Sequence, residues 1–279
     1  MILGGRSPIL VGPTRYRTTV DLTHLVLEIL GGLVVGASLG LLGAGGAILS
    51  IPIFALVLGH SQGVAIVESL AVTGAVALVA GVRAAIAGRV DFRRAAALAL
   101  PALAGAWIGG PIGRMLGEFV QAALFAVIAI IAAWRMLAPA PKPNESETKP
   151  SALRVMGTAG VAGLAIGVLT SVIGVGGGFL LVPVLVLLLR VPMSSAVGTS
   201  LLVITTTTAV AIASKAVHMP DDFARASWQS VAIVAGCGIA GSLVGARYAA
   251  RIPEKTLRKV FAAVLVLVAI GVAVDALRG

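Results

Sequence analysis

Charge is scarce in this 279-residue chain: Asp, Glu, Lys and Arg together make up 11% of it, against about 25% in an ordinary soluble domain. So few charged groups cannot cover a surface that faces water, which excludes a typical soluble enzyme or binding module. Cysteine occurs once, as Cys237. That excludes an intrachain disulfide and any multi-cysteine metal site, and the residue reads as one packed between helices. Histidine occurs three times, with no HExxH and no His/Cys/Glu group at ligand spacing, so neither a metal nor another cofactor is expected. Acids are outnumbered by bases, 11 to 21, for a net charge of +10. The basic residues sit in loops and tails, where they orient a membrane protein, so nucleic acid is not an expected partner. Residues 1–21 carry Arg6, Arg15 and Arg17 but no continuous apolar core ending in a small-residue cleavage site, so a cleaved signal peptide is not expected.

What fills the chain is apolar: 58% hydrophobic residues and a mean hydropathy of +1.06. The expected partner is the lipid bilayer, and the expected fold is an all-α polytopic membrane bundle, because helices satisfy their own backbone hydrogen bonds in lipid. Apolar segments fall at 22–42, 47–58, 64–82, 95–112 and 119–134, then at 156–173, 179–189, 196–214, 227–246 and 257–277. The polar stretch PAPKPNESETKPS between the two sets reads as a linker outside the membrane. The expected organisation is a tail over 1–21, a first repeat over 22–137, a linker over 138–152 and a second repeat over 153–279.

The two sets are copies. At a spacing of 131 residues, Gly32 matches Gly163, Gly36 matches Gly167, Gly43 matches Gly174, Gly45 matches Gly176 and Gly46 matches Gly177. The register continues through Pro52/Pro183, Ala65/Ala196, Ser69/Ser200, Leu70/Leu201, Asp91/Asp222, Phe92/Phe223 and Gly105/Gly236. A shared spacing across Gly, Pro, Ser and Asp does not come from composition and marks an internal duplication. In the first half the basic residues crowd the loop with Arg83, Arg89, Arg93 and Arg94; in the second they crowd the later loop with Arg247, Arg251, Lys255, Arg258 and Lys259. These loops share the cytoplasmic side only if the halves are inverted with respect to each other. That arrangement leaves both chain ends outside, the tail arginines included.

Segments 47–58 and 179–189 amount to about 16–18 Å of helix, short of the roughly 30 Å of hydrocarbon. Each is either half of a re-entrant hairpin or a crossing of a thinned region. The fold therefore reads as two inverted-topology repeats, each with a Gly-broken helix or re-entrant hairpin followed by three helices, with 8–10 membrane segments in all.

The strings GLLGAGGAILSIP, AIVESL and GRVDF, followed by IGVGGGFLLVPVL and AVGTSL, resemble the TauE/SafE family of sulfite and organosulfonate permeases from about residue 25 to 275. The resemblance implies movement of small sulfur-containing anions across the bacterial inner (cytoplasmic) membrane by a multi-pass protein. Membership does not name the substrate. One departure stands out: Glu68 occupies the position of Thr199, and an acid beside Ser69 would change anion preference or add proton coupling.

Candidate substrate-binding residues are Gly43, Gly45, Gly46, Gly174, Gly176, Gly177 and Gly178, which can unwind the chain at membrane depth and leave backbone N–H groups aimed at an oxyanion. The competing reading is close helix packing by small residues. Ser69, Thr199 and Ser200 can donate hydroxyl hydrogen bonds to sulfite or sulfonate oxygens, or else bond a carbonyl one turn back. Glu68 is a candidate proton-coupling group, or else a helix-start carboxylate. Arg83 and Lys215 end equivalent helices and would gather anions at the two mouths, or else only snorkel. His24 and His218 lie near segment ends, and Asp91 and Asp222 shape short loops.

A secondary transporter of small sulfur oxyanions fits the duplication, the broken helices and the lack of catalytic chemistry. An anion channel could use the same glycine loops. An intramembrane enzyme built on Ser69 or Ser200 lacks a paired base. The sequence leaves the direction of transport, the coupling ion and the number of subunits open, a homodimer among the options.

Overall fold

The computed structural model describes residues 22–44, 46–116, 118–138, 152–173 and 178–278. Among the described residues the chain is helical, without strands: α1 (Leu22–Leu42), α2 (Gly46–Pro52), α3 (Gln62–Ile86), α4 (Phe92–Met115), α5 (Glu118–Leu137), α6 (Ala152–Ile173), α7 (Gly178–Pro183), α8 (Met193–His218), α9 (Pro220–Arg225), α10 (Trp228–Ala249) and α11 (Glu254–Arg278). Six of these are long and apolar enough to cross a membrane, lying within α1, α3, α5, α6, α8 and α10. The expected all-α membrane fold is what forms, and the ten expected segments each fall on a helix. The inserted short helix α9 was not anticipated.

Both short helices end the same way. Pro52 and Pro183 close α2 and α7, and each is followed by a π-helical turn, Ile53–Val57 and Val184–Leu188. Proline removes an amide donor and crowds the preceding carbonyls, so the chain widens to bonds spanning five residues. Leu58 N–H donates to the Ile53 carbonyl at 3.0 Å, and Leu189 N–H to that of Val184 at 3.1 Å. α2 then runs back along α1, with Gly46 against Leu39 and Ile53 against Gly31.

The heaviest packing is exchanged between the halves: α1 lies on α10, and α6 lies on α4. In the first pair Gly32 meets Val234, Gly36 meets Gly238 and Gly40 meets Ser242; in the second Gly163 meets Leu98 and Gly167 meets Ala102. A methyl group on Gly36 or Gly167 would overlap the opposing carbonyl oxygen, so only glycine lets these backbones touch. At the centre α3 and α8 pack antiparallel, Gly74 against Thr208 and Gly81 against Leu201. α5 and α11 pack against each other as the remaining equivalent pair. The two sequence repeats are thus intertwined, each first helix docked on the other repeat's helix.

This packing corrects the repeat register after α8. Gly105 meets Leu164 and Val168, while Gly241 meets Leu33 and Ala37. The structural partner of Gly105 is therefore Gly241, not Gly236, and that of Phe92 is Trp228, not Phe223. The spacing grows from 131 to 136 because α9 is inserted between α8 and α10. Asp91 and Ser227 become equivalents, and both cap their helices: the Arg94 N–H donates to Asp91 Oδ1 at 3.0 Å and the Ser230 N–H to Ser227 Oγ at 3.4 Å.

Candidate functional site

Two buried hydroxyls in α3 have no partner among the described residues. Ser69 and Thr73, one helical turn apart and 1% and 2% exposed, find no hydrogen-bond partner for Oγ and Oγ1 among the described residues. Leaving a buried hydroxyl unsatisfied costs about 1–3 kcal/mol, so such an atom marks a place that something else completes. Both line a cavity of about 700 Å³ between α3, α4, α6 and α8. The other threonines of that wall are already bonded within their own helices. Thr170 donates to the Gly167 carbonyl, Thr207 to those of Val203 and Ile204, and Thr208 to that of Ile204.

The first residues of both broken helices, Gly46 of α2 and Gly178 of α7, line the same cavity. A helix start presents amides without intrahelical partners. Packing explains these glycines too: a Cβ on Gly178 would lie 2.8 Å from Ile204 Cδ1, and one on Gly46 would collide with Leu39. Lys215, near the end of α8, also lines the cavity, with Nζ 3.1 Å from Met219 Sδ.

A second cavity of about 560 Å³ occupies the other end of the α3/α8 pair and is lined by Arg83, Arg89, Arg247 and Arg251. It is the repeat image of the first: Ala80, Leu201 and Ser242 stand where the first has Ala211, Leu70 and Ala106. Near its inner end Ser200, fully buried, donates to the Gly43 carbonyl at 2.7 Å and to that of Val197 at 2.8 Å. Gly43 holds a left-handed backbone, φ 65°, and a Cβ there would sit 2.7 Å from Ser200 Oγ. Glycine is therefore required twice over. Among the described residues the equivalent hydroxyls thus differ: Ser200 is closed onto a carbonyl and Ser69 meets none.

Glu68 and Thr199 are also a matched pair. The Ser227 N–H at the start of α10 donates to Glu68 Oε1 at 2.7 Å, and the Asp91 N–H before α4 donates to Thr199 Oγ1 at 3.0 Å. Each therefore anchors the helix start of the opposite half. Glu68, fully buried, has a second partner in His60 of the α2–α3 connection, whose Nδ1 lies 2.6 Å from Glu68 Oε2. The hydrogen bond to Glu68 raises the His60 pKa above its usual 6.5, with further help from the charges of Glu68 and Glu28 and against the effect of burial. A raised histidine pKa adds stability that is complete below about 6.5 and fades as pH rises through the raised value. His60→Gln is accordingly expected to unfold at lower temperature than the wild type in mildly acidic detergent solution, the gap narrowing as the buffer is made alkaline. A gap that does not change with pH would mean that the histidine contributes packing only.

Of the candidates read from sequence, the structure gathers Gly46, Ser69, Gly178 and Lys215 around one cavity. It places Arg83 in the other, Gly43 and Ser200 near that one's inner end, and Glu68 and Thr199 at helix starts. Gly45, Gly174, Gly176 and Gly177 lie outside the described residues. Thr73 was missed, although its position one turn after Ser69 on a helix was a usable signal. Thr170, Thr207 and Thr208 were missed because nothing in an apolar run with scattered threonines tells which face lines a cavity.

A bundle of long apolar helices, one of whose cavities is lined by two unpartnered hydroxyls, defines a multi-pass membrane protein. The model of the sulfite exporter TauE/SafE family matches residues 28–272, and the chain belongs to that family. A probable membrane transporter protein of Xylella fastidiosa (strain 9a5c) is 31% identical over 252 residues, covering 90% of this chain and 95% of that protein. A second, from strain Temecula1 / ATCC 700964, is 32% identical over 253 residues with the same coverage. No solved structure matches at a significant level. The protein is a membrane transporter and not an enzyme.

Proposed function

We propose that this protein is a secondary transporter that moves small sulfur oxyanions, sulfite or organosulfonates, across the bacterial inner membrane, with a proton exchanged at Glu68. The observation that carries the reading is the pair of orphaned hydroxyls, Ser69 and Thr73, in a cavity that also receives the first residues of two broken helices. Unpartnered hydroxyls beside the first residues of two helices, with a lysine in the wall and no carboxylate, suit an oxyanion. The family, whose description names sulfite export, supplies the substrate class.

An inverted relation between the halves is supported by the antiparallel packing of the equivalent helices α3 and α8. It is supported again by Arg89 and Arg251, which come from the two basic loops and line one cavity. By the preference of Lys and Arg for the inside, that end faces the cytoplasm. Lys215 and Arg83 then stand at opposite mouths. Cysteine labelling from outside, in a Cys237→Ser background, should miss the loops containing Arg93 and Arg251; labelling of one loop and not the other would reject inversion.

The direct test is uptake into proteoliposomes of sulfite, thiosulfate, taurine, sulfoacetate and acetate, with and without a pH gradient. Saturable flux of a sulfur oxyanion, poor flux of acetate and a response to the gradient are expected. Flux that neither saturates nor couples to a gradient would make the protein a channel, and absence of flux for every sulfur compound would reject the substrate class. Glu68→Gln keeps an acceptor for the Ser227 amide and is expected to retain transport while flattening its pH dependence.

A further inference from the structure

We propose that the arginine-lined cavity is a second anion-binding site, one that holds an oxyanion by guanidinium contacts at the end of the protein opposite Ser69. The inference rests on the reading of the protein as an anion carrier and adds a site to it.

Four arginines reach this cavity from two distant stretches of chain: Arg83 late in α3 with Arg89 in the α3–α4 loop, and Arg247 late in α10 with Arg251 in the α10–α11 connection. No Asp or Glu lines it. None of the four guanidinium groups has a hydrogen-bond or ion-pair partner among the described residues. The contrast with neighbouring arginines is informative. Arg94 lies 3.1 Å from Asp91, and Arg258 lies 2.7 Å from Glu254. Arg94 and Arg258 are thus each neutralised by a carboxylate three or four residues away, while the four that converge on the cavity are left uncompensated among the described residues. Orientation by the membrane needs basic residues at this end but does not need them to converge on one cavity without acids. Converging like charges repel one another until an anion sits among them, and the planar fork of each guanidinium fits two oxygens of an oxyanion.

The place in the fold adds a second argument. This cavity is the repeat image of the one containing Ser69 and Thr73, and the first turns of α8, with Ser194 and Gly198, form part of its wall. Beyond it the Ser200 to Gly43 hydrogen bond closes the inner end. An anion held by the arginines would wait next to the hydroxyl that is the equivalent of Ser69. The arginine side differs from its image in the strength of its charge, four guanidiniums against the single Lys215. The two faces are therefore expected to bind the same anion with different affinity.

The ligand chemistry, an oxyanion, could be supplied by the transported solute or by a phospholipid headgroup, and the experiment separates the two. Sulfite flux would be measured in orientation-resolved proteoliposomes of pure phosphatidylcholine, and again with added phosphatidylglycerol. The wild type would be compared with Arg247→Gln/Arg251→Gln and with the corresponding lysine pair. The expected result is a KM for sulfite raised about tenfold when sulfite is offered at the arginine face. The KM at the other face is expected to be unchanged, with partial rescue by lysine. Equal changes at both faces, or none, would overturn the proposal. Dependence of wild-type flux on phosphatidylglycerol, lost in the glutamine pair, would also overturn it in favour of a lipid site. A wild type that carries sulfite from neither face would overturn the carrier reading and this inference with it, whereas wild-type flux with unsided variant effects would remove this inference alone.

Discussion

Ser69→Ala and Thr73→Val are each expected to raise the KM for the transported anion about tenfold, from the loss of one hydrogen bond worth roughly 1–2 kcal/mol. Neither is expected to lower the stability of the empty protein. The sign of the second effect is what makes the pair informative. Both hydroxyls are buried and have no partner among the described residues, so removing them takes away a desolvated polar group and leaves the fold as stable or more so. Ser200→Ala is the matching control at the equivalent position. It breaks the bond to the Gly43 carbonyl and should lower stability by about 1 kcal/mol. Thermal unfolding in detergent, run beside concentration-dependent flux, reads both quantities. Unchanged KM in Ser69→Ala and Thr73→Val would take these hydroxyls out of the substrate path, and a loss of stability in either would mean they have a protein partner after all.

Gly36→Leu is expected to abolish recovery of folded protein. Gly36 lies at the middle of the α1/α10 contact, where the helices run in the same direction with Gly32, Gly36 and Gly40 against Val234, Gly238 and Ser242. A Cβ alone would overlap the Gly238 carbonyl, and the rest of a leucine side chain would have to drive the backbones apart. In lipid there is little hydrophobic gain to hold separated helices together, so close contact between small residues is most of what binds them. Losing it uncouples the two repeats, because α1 belongs to one and α10 to the other. Gly236→Leu is the comparison, since nothing lies within 4 Å of a Cβ at Gly236. That variant should be recovered normally by size-exclusion chromatography. Monodisperse Gly36→Leu would show that the helices can tolerate a wider spacing.

Much of this architecture was legible before any coordinates. The spacing of 131 residues located the first three helices of each half, because Gly, Pro and Ser recur there where the backbone is broken or closely packed. It failed after α8, where PDDFAR inserts as α9 and carries Asp222 and Phe223 out of register. A fixed spacing cannot see an insertion placed between two apolar runs of similar composition. From the sequence, Glu68 reads as a proton-coupling acid or else a helix-start carboxylate, with no partner named. The structure supplies two partners, the His60 ring and the Ser227 amide, the second lying 159 residues away along the chain. Thr199 reads from the sequence as an anion donor or as bonded to a carbonyl one turn back, and in the structure its oxygen accepts from the Asp91 amide 108 residues away.

By itself, the sequence determined that this is an all-helical membrane protein of duplicated origin with one short apolar segment in each half. These properties rest on composition, on periodic apolar length and on local backbone rules, all of which act within about one helix length of chain. Only the tertiary structure decided which hydroxyls are used, since Ser69 and Ser200 hold equivalent places in the two repeats but, among the described residues, only Ser200 meets a carbonyl. It also decided that each repeat packs its first helix on the other repeat, and that arginines from two distant stretches of chain share one cavity. Hydrogen bonding and desolvation depend on what lies within a few ångströms in space, and in a bundle of exchanged repeats those neighbours are far apart in sequence.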